Sequence, residues 1–191
     1  MELDSHADTC TLGSVCLVLQ ETGRTVDVSG FTQGLGTKDD IKVVTGAVAY
    51  DCQLTFATYI LVFHEALYIP EMDVHLLNPF QMRNQGVVVN ETPLHQLPVD
   101  QRTSDSHSII CPEVEPTLHI PMVLDGVMSG FTVRKPTWEE VTNTDLSNIH
   151  HVHMTSSQPW DPGAAAHSEL EGTLRTDILF QGRRNGEATP P

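Results

Sequence analysis

Ile41-Lys42-Val43-Val44-Thr45-Gly46-Ala47-Val48-Ala49-Tyr50 and, after a short polar break, Leu54-Thr55-Phe56-Ala57-Thr58-Tyr59-Ile60-Leu61-Val62-Phe63 decide the fold class of this chain. Both runs are rich in β-branched and aromatic residues, have the length of strands and are bounded by turn formers, so they read as strands buried in a sheet. On either side lie further short apolar runs at 15–19, 25–28, 66–69 and 87–89. Gly23, Gly30, Gly34-Leu35-Gly36 and Asp39-Asp40 punctuate them as expected turns. Residues 1–92 are therefore expected to form a mainly β domain. A single short helix interrupts it: Asn78 is placed to cap, Pro79 suits the first helical position, Phe80-Gln81-Met82-Arg83 follows, and Gly86 supplies a stop.

The composition changes beyond residue 92. Residues 93–116 are rich in Pro, Thr, Ser and Asp with little periodicity and read as a linker. Order is expected again over 117–154. Leu118, Ile120, Met122 and Leu124 alternate with other residues, Asp125-Gly126 is a hairpin turn signal, and Val127, Ser129, Phe131 and Val133 alternate after it. Thr137-Trp138-Glu139-Glu140 fits a capping box that opens a short helix. Residues 155–191, with Pro159, Pro162 and many polar side chains, read as a largely disordered tail.

The 191 residues carry a formal net charge of −15 and only 6% aromatic residues, without a basic stripe, which argues against a nucleic-acid partner. No apolar run approaches the ~18 residues of a membrane span, and no secretory signal opens the chain, so a cytoplasmic protein without a membrane partner is expected. Cys10, Cys16, Cys52 and Cys111 form no close-spaced ligand pair and read as reduced thiols, with Cys16 in the core. His150-His151-Val152-His153 would put His151 and His153 on one strand face, two imidazoles with no third ligand, so an exposed polar face is the preferred reading and no metal is expected.

The chemistry-bearing segment is Leu3-Asp4-Ser5-His6-Ala7-Asp8-Thr9. An Asp-Ser pair in isolation is an ordinary turn or cap. If Leu3 ends a buried strand, however, Asp4 sits in the following turn, and two copies of that turn about a two-fold axis bring two carboxylates together. Like charges at that separation cannot both ionise, so one acid stays protonated while the other serves as base toward a water held between them. Ser5 would brace the pair and small Ala7 would leave room for a substrate backbone.

This segment resembles the Asp-Ser/Thr-Gly-Ala-Asp/Thr signature of retropepsins, the aspartic proteases of retroviruses and LTR retrotransposons. A second block, Glu65-Ala66-Leu67-Tyr68-Ile69-Pro70 through Leu76-Leu77-Asn78-Pro79-Phe80-Gln81-Met82, resembles the copia-type pattern of an apolar strand, a variable loop and an apolar pair before a helix. Asp-Ser-His-Ala-Asp-Thr-Cys itself is similar to a divergent subset of these elements. The resemblance implies a retropepsin-like closed β-barrel working as a homodimer, without cofactor, in the processing of an extended peptide or polyprotein inside the cell or within virus-like particles. It makes Asp4 the catalytic aspartate and Ser5 its brace. It places His6, Ala7 and Asp8 along the substrate, Leu76, Leu77 and Asn78 beneath the active-site loop, and residues 87–90 at a candidate dimer interface.

His6 and Asn78 both stand where the family has glycine, and only three residues precede Asp4. Either the hairpin at 118–133 takes the place of the strand that the family builds upstream, or the domain is incomplete. An active endopeptidase and an inactive, truncated remnant that binds peptides or dimerises are the two functional expectations.

Overall fold

The computed structural model describes residues 1–30, 36–143 and 148–184. The expected turn at Gly34-Leu35 and the end of the expected tail at 185–191 lie outside the described residues. The chain divides into a unit Met1–Trp160 and a unit Asp161–Pro191. In the first, β1 (Glu2–Leu3), β2 (Thr11–Leu12), β3 (Leu17–Ser29), β4 (Thr37–Asp51), β5 (Thr58–Tyr68) and β6 (Leu76–Leu77) precede helix α1 (Pro79–Arg83) and β7 (Val88–Asn90). There follow β8 (Ser108–Cys111), β9 (Leu118–Pro121), β10 (Val123–Asp125), β11 (Met128–Gly130), helix α2 (Trp138–Thr142) and β12 (Ile149–His153). The second unit contains one helix, α3 (Ala165–Arg184).

The fold is mainly β. Strands run in the order β10-β11-β1-β6-β2-β5-β4-β3, with β12 also paired to β5, and β7-β8-β9 form a separate three-stranded sheet. β5 is the centre. It pairs antiparallel with β4 along one edge, while β12 and β2 share the other edge in parallel, β12 along its first half and β2 at Leu67–Tyr68.

Both faces of β5 are covered, which is why its sequence is nearly continuously apolar rather than alternating. Tyr59, Leu61 and Phe63 enter the main core with Val44 and Val48 of β4 and with Val89, Ile109, Leu118 and Ile120 of the smaller sheet. Ile60 and Val62 face the other way, against Ala47 and Ala49, beneath Val141 of α2 and Ile149 of β12. Gly46 is needed where β4 passes Cys16 and Leu12, because a Cβ there would collide with both side chains.

Several boundaries differ from expectation, each for a local reason. The runs at 15–19 and 25–28 join in β3, because Gly23, at φ 79, sits in an irregularity where the β3–β4 register shifts instead of ending the strand. Thr22 spans it, its hydroxyl donating to the Val43 carbonyl at 2.8 Å and accepting from Arg24 N at 3.2 Å. The runs at 54–63 and 66–69 likewise join in β5 through a bulge at Glu65, φ 53, while Leu54 and Phe56 are exposed before the strand begins. Asp40, at φ 57, lies within β4 rather than in a turn.

Both expected short helices appear, α1 at Pro79–Arg83 and α2 at Trp138–Thr142 with its Thr137 and Glu140 capping box, and α3 joins them. The segment read as a linker contains β8, whose Ser108, Ile109 and Cys111 are buried between β7 and β9. Its apolar stretch is only three residues long, too short to show as periodicity. Much of the segment read as a disordered tail is α3, which its alanines, leucines, glutamates and arginines favour. The hairpin forms at β10–β11, but Leu118–Pro121 belongs to the other sheet, the chain changing sheets at Met122. No ladder joins β10 to β3 among the described residues, so the closed barrel implied by the resemblance is not found. Much of β3 faces solvent.

Candidate functional site

β1 is two residues long, and its neighbours fix it. It pairs antiparallel with β11 at Glu2↔Gly130 and parallel with β6 at Glu2↔Leu76 and Leu3↔Leu77. Glu2 N donates to the His75 carbonyl and Asp4 N to the Leu77 carbonyl, both at 2.9 Å. The Met1 amino group donates to the Phe131 carbonyl at 2.9 Å, and Phe131 N returns a bond to the Met1 carbonyl at 3.1 Å. Gly130 permits this approach, since a Cβ there would strike the Met1 carbonyl. The 118–133 region thus places a strand, β11, against β1.

Asp4 leaves β1 at that point. Its Oδ1 accepts from His6 N at 2.9 Å and from Ala7 N at 3.3 Å, an arrangement that closes the turn on its own carboxylate. Asp4 and Ala7 are half-buried, Ser5, His6 and Asp8 are exposed, and Thr9 and Cys10 are buried. The non-glycine residues with positive φ are Asp40, Phe56, Glu65 and His107 among the described residues. His6 is not one of them, so the glycine-to-histidine difference places no bulky residue in the left-handed region.

Beneath the turn, Leu77 is fully buried and Leu76 half-buried. Asn78 does two jobs with one carboxamide. Its Oδ1 accepts from Gln81 N at 2.7 Å and caps α1, while its Nδ2 donates to the Ala7 carbonyl. The expected residues Asp4, Ala7, Leu77 and Asn78 are thus joined in one bonded assembly.

Four further residues complete it, and sequence reasoning missed their roles. Gln81, 2% exposed, accepts from Cys10 N at 2.8 Å and donates to the Glu65 carbonyl at 3.3 Å. Trp160 Nε1 donates to the Asp8 carbonyl at 3.0 Å, and Trp160 N donates to Glu65 Oε2 at 3.1 Å. That Glu65 oxygen also pairs with Arg24. His75 is 1% exposed, its Nδ1 accepts from Gly13 N at 3.0 Å, and its Nε2 is buried without a partner among the described residues. Burial, reinforced by the amino-terminal charge, pushes His75 down to about 4. Only the tryptophan, one of two in the chain, offered any signal in the sequence.

The histidine run occupies β12. His150 stacks on Tyr59, and His151 Nε2 contacts the Val141 carbonyl at 3.0 Å. His153 Nδ1 lies 2.9 Å from His64 Nε2, and burial, with the neighbouring His153, lowers the His64 pKa. Among the described residues no group of three or more His, Cys, Asp and Glu is arranged to hold a metal ion. The four cysteines are buried free thiols, and burial raises Cys10 and Cys111 to about 12 and Cys16 to about 11.

Concavities are lined by Gly86, Cys111 and Val152, by Tyr50, Phe131 and Arg134, and by Asn90, Thr103 and His107. None of these three includes a residue of the Asp4 turn. No helix among the described residues is long and apolar enough to cross a membrane. Comparison with protein-family models, with curated proteins and with solved structures finds no match to this chain.

Proposed function

We propose that this chain is one half of an aspartic endopeptidase of the retropepsin type, derived from a copia-type retrotransposon polyprotein. Asp4 of two copies would form the dyad. One carboxyl holds a proton and the other takes one from the water between them. The water oxygen bonds to the peptide carbonyl carbon, the C–N bond breaks, and the amine leaves with a proton. The substrate is an extended peptide, held along Asp8 and its neighbours by backbone hydrogen bonds.

The observation that carries this reading is the Asp4 turn. A carboxylate at the end of a strand gripped from both sides accepts two backbone N–H bonds, in a turn that exposes Ser5, His6 and Asp8. Two donors on one oxygen fix its orientation before substrate arrives, which is what a shared-proton pair requires. In this reading, the cytoplasmic or particle-enclosed setting comes with the family.

The second reading is a catalytically inactive module that binds peptides or dimerises, favoured by the exposed His6 side chain at a position where the family has none. Cleavage of unstructured peptide mixtures over about pH 4–7 separates the two. The peptidase reading predicts cleavage that Asp4→Asn lowers on the order of 10³-fold or more. A dimer without cleavage, or full activity in Asp4→Asn, rejects it.

A further inference from the structure

Glu65 is an unusual residue to find where it is. It occupies the left-handed position of the β5 bulge at φ 53, and its side chain is 9% exposed. A buried carboxylate persists only with partners, and here two reach it while a third bonds the backbone of the same residue. Arg24 reaches it from β3, Trp160 N from the segment after β12, and the Glu65 carbonyl accepts from Gln81 of α1.

Two of those partners lead to the candidate active-site loop. Trp160 passes its indole N–H to the Asp8 carbonyl at 3.0 Å, and Gln81 offers its Oε1 to Cys10 N at 2.8 Å. The peptide groups on both sides of Thr9 are thereby tied to one carboxylate-bearing residue. The Trp160 ring also lies against Phe80 of α1, centroids 6.2 Å apart, which limits its freedom to turn away. A purely structural tie between β12 and the sheet would not need to end on the carbonyl of Asp8.

We propose that Trp160, backed by Glu65, is a positioning residue for Asp8, setting where the Asp8 carboxylate meets the substrate backbone. The segment from β12 to Trp160 then belongs to the working unit. The inference rests on the peptidase reading for its function, but the tie itself can be tested without it.

The full-length chain is compared with Trp160→Phe, which keeps a ring and removes the donor, and with Glu65→Gln, which keeps the volume. Peptide cleavage is resolved into KM and kcat, and hydrogen exchange is followed at the Thr9 and Cys10 amides. Both variants are expected to raise KM about tenfold with kcat changed less than about twofold, and to speed exchange at Thr9, while Cys10, held by Gln81, keeps its protection. A fall in kcat at unchanged KM, or no change in either, overturns the positioning role. If the wild-type chain cleaves nothing, the peptidase reading fails, and exchange decides the tie alone, unaltered protection in Trp160→Phe overturning it.

Discussion

His75 sets an acid limit on the molecule. Its Nδ1 is occupied by Gly13 N, so the neutral ring carries its proton on the partnerless Nε2, and charging it would bury an uncompensated cation. The ring has an ordinary pKa of 6.5 when unfolded and about 4 when folded. Between those values the unfolded chain binds the extra proton, so this contribution is fully present above pH 6.5 and is lost as pH falls toward 4. From about pH 7 to pH 5 the loss is roughly 2 kcal/mol. Urea unfolding at the two pH values should show that drop in the wild-type chain and a flatter dependence in His75→Gln; equal slopes would remove His75 as the cause. The proposed shared-proton dyad would favour mild acid, so peptidase activity and stability would pull in opposite directions across this range. Asp4 and Asn78 were legible in the sequence because a turn acid and a cap before proline act locally. His75, Gln81, Glu65 and Trp160 were not, since each acquires its role from a partner at least 16 residues away.

Among the elements, α1 shows how a five-residue helix controls the site. Its cap, Asn78, also holds the Ala7 carbonyl, so removal affects both. Asn78→Ala is expected to cost about 2 kcal/mol, roughly half from the cap and half from the orphaned carbonyl. Asn78→Ser keeps a capping oxygen but cannot reach Ala7, and should lose about half as much. Denaturant titration of both variants measures the split, and equal losses would mean that the bond to Ala7 contributes nothing. The hairpin was readable from Asp125-Gly126, although its two-residue loop is Gly126-Val127, with Asp125 in β10 paired to Met128; the capping box of α2 was readable as well. The bulges at Gly23 and Glu65 were not. A break in apolar character looks the same whether the strand ends or bends, and only the cross-strand register distinguishes them.

For the molecule as a whole, the mainly β class was legible from β4 and β5, whose composition fits a sheet buried on both faces. The path of that sheet was not. β1 and β11 meet although more than a hundred residues separate them, and the small sheet draws β8 from a segment whose composition resembled a linker. Pairing of this kind is decided by the available edges, not by local preference. In the proposed dyad the same would hold between chains, one Asp4 per copy making catalysis a property of two copies. That claim is tested most directly by co-refolding wild-type chains with an equal amount of Asp4→Asn chains and measuring peptide cleavage per wild-type chain. A dyad shared between copies predicts a fall to about half, because half of the wild-type chains then have an inactive partner. Activity per wild-type chain that stays unchanged as Asp4→Asn chains are added would contradict it.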